Sequence, residues 1–328
     1  MTERTRPDVP ALQVDGLTVS YGASAPVLRE LDLTVGPGEA VAVLAPSGGG
    51  KSTLLHAVAG FVALQCGEIR VGGRTVAAAG QHEPPEQRGV GMVFQSYALW
   101  PHLTALDTVA YPLRRAGRSR AQARGRASEL LELTGIGSLA GRRPAQLSGG
   151  EQQRVGVARA LAREAVLYLF DEPTAHLDTA LRGTLQEELA NQRLALGAAV
   201  LYSTHDVAEA FAVADRVALL RDGAVLQVAA PGQVYDEPVD LWAARLTGPA
   251  SALEVAPHGT VLVRPEWARL GGALPARVVS VRFRGPDTDY RLDTPSGPLQ
   301  VRERGRPRAR VGDQVDATLD RFWAFGRG

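Results

Sequence analysis

Short, nearly continuous apolar runs recur along the first two thirds of the chain. They cover residues 41–44, 90–94, 165–170 and 198–202. Runs of this length without polar alternation are typical of strands that are buried on both faces, as in a parallel sheet covered by helices. The pattern therefore predicts an α/β fold with a parallel sheet.

Other segments carry different patterns. Residues 11–19 and 31–35 are rich in β-forming side chains, and residues 216–228 alternate around Asp222-Gly223, which is typical of a hairpin turn. Residues 106–163 are rich in Ala, Arg, Leu and Glu, which predicts a mostly helical insertion. Within it we expect a helix over 119–133, with Leu130, Leu131 and Leu133 on its apolar side.

The pattern changes again beyond residue 238. Five short strands separated by Gly, Pro and Asp turns are predicted at 261–263, 276–283, 290–292, 299–302 and 314–319. They predict a small all-β, barrel-like domain. We therefore expect a first domain over 1–240 with a helical subdomain at about 104–163, a linker over 241–255, and the β domain over 256–328.

Composition narrows the function classes only a little. The chain has 328 residues, 45% hydrophobic and 22% charged, with 36 basic and 35 acidic residues and a net charge of +1. Net charge therefore gives no argument for binding nucleic acid or an anionic membrane.

Cys66 is the single cysteine, which excludes an internal disulfide, and we expect it to be a small buried hydrophobe. Residues 1–10 lack a signal-peptide pattern, and no apolar run reaches the roughly 18 residues of a membrane span, so we expect any membrane role to act through a partner.

A glycine-rich segment joins the first buried run to a predicted helix. It reads Ala45, Pro46, Ser47, Gly48, Gly49, Gly50, Lys51, Ser52, Thr53. A strand, a glycine loop and a helix start in this order point backbone N–H groups and a positive dipole end at one place, where they cradle phosphates. Lys51 is the only lysine among the 36 basic residues. We predict that Lys51 neutralises the β- and γ-phosphates and that Ser52 ligates Mg²⁺; Ala45 replaces the first glycine of the pattern, which strains the loop only if its φ is positive.

Two more motifs extend this site. Asp171 and Glu172 follow a buried strand, which predicts that Asp171 holds Mg²⁺ through water and that Glu172 deprotonates the attacking water. Residues 147–154 read LSGGEQQR, a second glycine-bearing helix start. One nucleotide leaves no room for a second cradle from the same subunit. We therefore expect a head-to-tail dimer in which Ser148 and Gly150 of each copy close on the ATP of the other.

The LSGGEQQR segment makes the chain resemble the ATP-binding subunits of ATP-binding cassette (ABC) importers, over nearly its whole length. The resemblance implies an ATPase with ATP and Mg²⁺ as cofactors. It also implies that Tyr21 stacks on adenine and that Gln95 joins the Mg²⁺ shell. In the same way it places Gly149 and Glu151 in the signature, Asp178 in the loop that crosses the dimer, and His205 on the γ-phosphate. Ala175 departs from the serine that is usual in that loop.

The resemblance also implies partners. Residues 96–104 are similar to the importer segment that accepts a helix of the transmembrane permease, with exposed Tyr97, Leu99 and Trp100 as anchors. The C-terminal domain is similar to TOBE-type, oligonucleotide-fold-like domains of importers for iron(III), polyamines, thiamine or phosphonates. The resemblance further implies that the protein lies peripherally on the cytoplasmic face of the membrane and works with an extracytoplasmic substrate-binding protein. It implies no nucleic-acid partner. The alternatives are a soluble cassette ATPase of nucleic-acid repair or translation, and a binding role of the C-terminal domain itself, for nucleic acid or a metabolite.

Overall fold

The computed structural model describes residues 9–22, 24–163, 165–173 and 197–325. Its internal contacts divide the chain into two units, residues 1–231 and 232–328. The division lies before the predicted boundary at residue 240. The predicted linker over 241–255 is not a free connection, because Ala244 and Leu253 belong to the hydrophobic core of the second unit.

A six-stranded sheet forms the centre of the first unit. Its order is β11-β10-β3-β9-β8-β7, and all neighbours are parallel except the β10–β11 hairpin. The predicted α/β fold is confirmed, since each of the four apolar runs forms a strand of this sheet. The strands are β3 (Ala40–Leu44), β7 (Val90–Val93), β8 (Leu167–Asp171), β9 (Ala199–Thr204), β10 (Arg216–Arg221) and β11 (Ala224–Ala229).

A second, antiparallel sheet holds the two N-terminal β pieces. Its order is β2-β1-β4-β5-β6, and the last three strands were not predicted from the sequence, because they are short and interrupted by glycines. Cys66 begins one of them and is exposed, so its expected burial was wrong. The strands are β1 (Leu12–Val19), β2 (Leu28–Val35), β4 (Cys66–Val71), β5 (Arg74–Ala78) and β6 (Gln81–His82).

Helices fill the predicted insertion and flank the sheets. In the insertion, the helix that follows Ser119 buries Ala123, Ala127, Leu130 and Leu131, a stripe of i, i+4, i+7 and i+8. Leu133 lies off this stripe and is half-exposed, so only two of the three predicted leucines pack. The helices are α1 (Lys51–Ala59), α2 (Ala105–Arg115), α3 (Arg120–Leu133), α4 (Gly149–Leu161), α5 (Val207–Val213), α6 (Pro231–Asp236) and α7 (Leu241–Thr247). No helix within the described ranges is long and apolar enough to cross a membrane.

The second unit is built mainly from two antiparallel sheets, which confirms the predicted all-β character, while the predicted barrel is replaced by two separate sheets. The sheets have the orders β12-β13-β18 and β16-β15-β14-β17. All five predicted strands are present, while β12 and the two-residue β18 were missed. The strands are β12 (Ser251–Val255), β13 (Gly259–Val263), β14 (Ala268–Phe283), β15 (Asp287–Thr294), β16 (Gly297–Arg304), β17 (Gln314–Leu319) and β18 (Trp323–Ala324).

A buried arginine organises the helical edge of this unit. The Arg264 guanidinium is inaccessible to solvent and donates to the backbone carbonyls of Tyr235, Ala244, Gly248 and Pro249. Replacing Arg264 with methionine leaves these buried carbonyls unpaired, so we expect the free energy of unfolding of the second unit to fall by about 3 kcal/mol or more. Thermal unfolding of the full chain measures this. Arg269→Met is the control, because Arg269 pairs with Asp320 at the surface, and an equal loss there would contradict the role of Arg264.

Candidate functional site

The glycine-rich loop connects the buried strand β3 to α1 in a conformation that requires glycine. Gly48 and Gly50 take φ values of 79° and 94°, and Gly50 is the residue that caps α1 without any side-chain hydrogen bond. A Cβ on Gly50 would lie 2.9 Å from the side chain of Leu28. The first-turn N–H groups of α1 therefore open towards the loop, which is the arrangement that binds phosphate oxygens.

Ala45 fits this loop without strain. It does not take a positive φ, so the alanine in place of the usual glycine costs little conformational energy. It is fully buried, and its Cβ lies 2.8 Å from where a Cβ on Gly49 would be. The close approach makes glycine necessary at position 49 while alanine is tolerated at 45.

Lys51 is a buried cation at the start of α1. Only 4% of the residue is exposed. Its Nζ lies 3.0 Å from the carbonyl oxygen of Ala45, 3.3 Å from that of Pro46 and 3.1 Å from Glu172 Oε1. A buried ammonium needs such acceptors, and these place its charge between the loop and the end of β8.

The end of β8 carries the two predicted carboxylates. Asp171 Oδ1 accepts hydrogen bonds from the Ser52 hydroxyl at 2.9 Å and from the Ser203 hydroxyl at 2.8 Å. His56 Nε2 lies 3.6 Å from the other carboxylate oxygen. The adjacent hydroxyl and carboxylate oxygens of Ser52 and Asp171 are ligands that Mg²⁺ prefers, so this pair fits the predicted metal. No cluster of three His, Cys, Asp or Glu side chains suited to a metal ion occurs in the part of the chain that the structure describes.

Glu172 lies between two basic side chains. One carboxylate oxygen contacts Lys51, and the other lies 3.2 Å from Nδ1 of the exposed His205. Its backbone has a φ of 42°, which is unfavourable for a residue with a Cβ. The Glu172 N–H donates to both the carbonyl and the hydroxyl of Ser203, each at 3.1 Å. The predicted base, its histidine and the P-loop lysine are thus in contact.

A cavity of about 310 Å³ opens above the glycine loop. It is lined by Val27, Gln95, Glu172 and residues 47–53. Half-exposed Tyr21 reaches Thr53, with 3.3 Å between the two side-chain oxygens. The structure therefore brings together the predicted phosphate loop, Gln95 and Glu172, with Tyr21 held at Thr53.

The signature residues begin α4 and do not line this cavity. Ser148 caps α4: its hydroxyl accepts from the N–H of Glu151, whose carboxylate accepts from the Ser148 N–H at 2.7 Å. Ser148, Gly149 and Glu151 are exposed or half-exposed, and a Cβ on Gly149 would meet nothing within 4 Å. No residue in the described part of the chain therefore covers the helix start at Gly149. Asp178, with Ala175 of the same predicted loop, lies outside the described residues.

A larger groove of about 740 Å³ lies beside the predicted permease segment. Trp100 lines it, with its ring 4.9 Å from that of Tyr111 and 5.4 Å from the Arg159 guanidinium. Tyr97 was expected to be exposed, but it is 6% exposed. Its backbone has a positive φ, and its buried hydroxyl finds no hydrogen-bond partner among the described residues. Burial raises the pKa of Tyr97 and lowers that of Arg159.

Sequence reasoning missed three polar residues that brace the site. Ser203 holds both Asp171 and Glu172, Gln153 donates to the carbonyl of Pro173, and buried Arg88 donates to the carbonyls of Ala57 and Val58 at the end of α1. Ser203 stands between the apolar run at 198–202 and His205, which is a signal that could have been used. Nothing in the sequence indicates the partners of the other two.

Comparison with known proteins gives consistent matches. The ABC transporter family model matches residues 28–175, and the TOBE domain model matches residues 261–325. The Fe(3+) ions import ATP-binding protein FbpC of Streptomyces avermitilis is 42% identical over 298 residues, covering 84% of this chain and 85% of that protein. The spermidine/putrescine import ATP-binding protein PotA of Frankia alni is 38% identical over 316 residues, covering 94% of this chain and 63% of that protein.

Solved structures match the first unit in the same way. The ATP-binding cassette MJ0796, in a dimeric post-hydrolysis structure bound to ADP and Pi, aligns with a TM-score of 0.60 and 31% identity. The alignment covers 67% of this chain and 98% of that one. The likeness therefore extends over a whole cassette of a protein whose structure contains nucleotide.

Proposed function

Because this chain belongs to the ABC transporter family as an ATP-binding subunit with a C-terminal TOBE domain, we propose that it hydrolyses ATP with Glu172 as the general base and so drives an importer. One observation carries this proposal. Lys51 and Ser52 at the start of α1 contact Glu172 and Asp171 at the end of the neighbouring strand β8. Phosphate-binding groups and a candidate base thus share one cavity.

Each residue at the cavity has a separate role in binding or hydrolysing ATP. The loop N–H groups and Lys51 hold the phosphates, and Tyr21 supplies a ring for the adenine. Ser52 and Asp171, with Gln95 on the same cavity, would hold Mg²⁺, which neutralises phosphate charge when bound. Glu172 takes the proton of the attacking water. His205 contacts the Glu172 carboxylate, orients that carboxylate and reaches the γ-phosphate.

The exposed start of α4 supports a site shared between two copies. Ser148, Gly149, Gly150 and Glu151 do not line the cavity of their own chain, yet they present a helix N-terminus, which binds anions. The matched cassette structure is dimeric. We therefore propose a head-to-tail dimer in which each copy's signature contacts the other copy's ATP.

The partners and the place of action are also proposals. The names of the relatives concern import of Fe(3+) ions and of spermidine/putrescine. We propose that the chain is bound to transmembrane permease subunits at the cytoplasmic face of the membrane and is served by an extracytoplasmic binding protein. Iron(III) and polyamines are the cargo classes to test first, before thiamine and phosphonates.

The test of this function is ATP-dependent uptake by vesicles that contain the chain, its permease and its binding protein. We expect cargo uptake to require ATP, the permease and the binding protein. We expect Lys51→Ala to abolish both phosphate release and uptake, because the phosphates lose their buried cation. Uptake that continues without ATP, or with Lys51→Ala, would contradict the proposal.

The large groove predicts where the permease docks. Phe61 and Trp100 line its wall, and Phe61 is half-exposed. We expect Phe61→Ala and Trp100→Ala to lower co-purification of the permease about tenfold or more, since aromatic anchors dominate interfaces. The isolated subunit should keep its melting temperature within a few degrees and its basal ATPase activity.

Leu99→Ala is the matched control for this docking prediction. Leu99 was expected to be an exposed anchor, but it is partly buried against the core cluster of the helical insertion. Its truncation should therefore lower the melting temperature without a specific loss of permease binding. Docking at this groove would be wrong if Trp100→Ala lowered the melting temperature strongly and still retained the permease at low temperature.

A further inference from the structure

Gln153 is the seventh residue of the LSGGEQQR segment, and its side chain is buried inside the protein. It is fully buried on α4, and its amide nitrogen donates to the carbonyl of Pro173, the residue that follows Glu172. Its amide oxygen has no hydrogen-bond partner among the described residues. Burying an amide costs free energy that an apolar side chain of the same size would not cost. The hydrogen bond from Gln153 to Pro173 therefore points to a use beyond filling space.

The backbone that this amide holds is strained. Glu172 has a φ of 42°, and residues with a Cβ keep such a conformation only where the surroundings enforce it. On the N-terminal side, the Glu172 N–H is fixed by the carbonyl and hydroxyl of Ser203 on β9. On the C-terminal side, Gln153 on α4 fixes the carbonyl of Pro173, one peptide unit beyond the Glu172–Pro173 bond. The first contact holds the peptide unit directly before Glu172, and the second holds the following residue, whose ring already fixes its own φ.

We propose that Gln153 is a positioning residue for Glu172, which ties the base of one chain to the signature helix of the same chain. The inference rests on the function proposed above. Ser148 caps α4 and Gln153 lies five residues further along it, about 7.5 Å along the helix axis. A shift of α4 when its N-terminus meets the partner's nucleotide is passed through the Gln153 amide to Pro173, and so to the carboxylate of Glu172. Closure of one site then sets the base of the other.

Replacement of Gln153 with methionine tests this role. Methionine has a similar shape and no N–H, so it releases the Pro173 carbonyl while filling the space. We expect kcat for ATP hydrolysis by the full-length chain to fall about tenfold and KM to change by less than about twofold, since a misplaced base slows chemistry without weakening binding. A fall in kcat of less than about threefold would overturn the proposal.

A structural role is separated from a positioning role by two further measurements. Thr134→Val removes a hydroxyl that is equally buried and donates to helix carbonyls of α3, far from Glu172 in the chain, so it should lower stability and leave kcat unchanged. In the Glu172→Gln background, Gln153→Met should lower the residual rate no further, because the base that it positions is gone. A loss in that background equal to the loss in the parent, or an equal loss of kcat in Thr134→Val, would overturn the proposal.

A second variant, Gln153→Asn, tests the same role if the Gln153→Met chain does not fold. Gln153→Asn keeps the buried amide but shortens it by one methylene, so it should fold and also lower kcat. The proposed function fails separately: in that case the parent chain hydrolyses no ATP, or Glu172→Gln is fully active. An inactive Glu172→Gln together with a fully active Gln153→Met and Gln153→Asn removes only the positioning role of Gln153.

Discussion

Replacing Glu172 with glutamine is expected to lower the turnover of ATP by roughly two to four orders of magnitude, the range that a general base contributes. The glutamine keeps the size of the side chain and its place between Lys51 and His205. It loses the negative charge and the basicity that accept the proton of water. Phosphate release measured at saturating ATP gives the effect on kcat directly.

Binding of ATP should survive this substitution. Lys51, Ser52 and the loop N–H groups are untouched, so the affinity for Mg-ATP should stay within a few fold of that of the parent. Because bound ATP is no longer consumed, gel filtration with ATP and Mg²⁺ should show a dimer. Glu83→Gln is the control, because Glu83 pairs with Arg74 away from the cavity, and its rate should match the parent. A Glu172→Gln chain that hydrolyses at the parent rate would remove Glu172 from the mechanism.

The central architecture could be predicted because its signals are local. A fully buried parallel strand needs an apolar run, and the phosphate loop needs glycines where φ is positive, as at Gly48 and Gly50. Among the residues that line the cavity, the motifs predicted residues 47–53 and Glu172, the resemblance supplied Gln95, and Val27 was not predicted. The strands β4, β5 and β6, which lie between α1 and β7 in the chain, were not predicted. Each is short, and none shows a clear alternation of apolar and polar residues.

The parts that could not be predicted depend on contacts between distant segments. The sequence predicts an exposed aromatic at Tyr97, but the side chain is buried in the folded chain. Gln153 reads as one of several polar residues on an amphipathic helix, and its role depends on Pro173, 20 residues away. The local hydrophobic pattern indicates which face of a helix or strand is apolar. It does not indicate which group a buried polar side chain contacts.

Mixing two inactive chains tests how the site is shared. A chain with Ser148→Arg keeps its phosphate loop but places a bulky cation at the signature, and a chain with Lys51→Ala keeps its signature but loses the buried ammonium. In a head-to-tail heterodimer, the intact loop of the first chain meets the intact signature of the second. We therefore expect two inactive homodimers and a heterodimer that regains up to about half of the parent rate, since one of two equivalent sites is whole.

The heterodimer is isolated with a different tag on each chain, and its phosphate release is compared with that of the two homodimers. Ser119→Arg is the control for the arginine itself: it removes a capping box like that of Ser148 from the start of α3, costing about 1 kcal/mol of helix stability, and should leave the rate unchanged. If each site were built from one chain only, the heterodimer would hold a damaged signature in one site and a damaged loop in the other. Its rate would then equal that of the inactive homodimers, and the exposed start of α4 would have no part in the partner's ATP site.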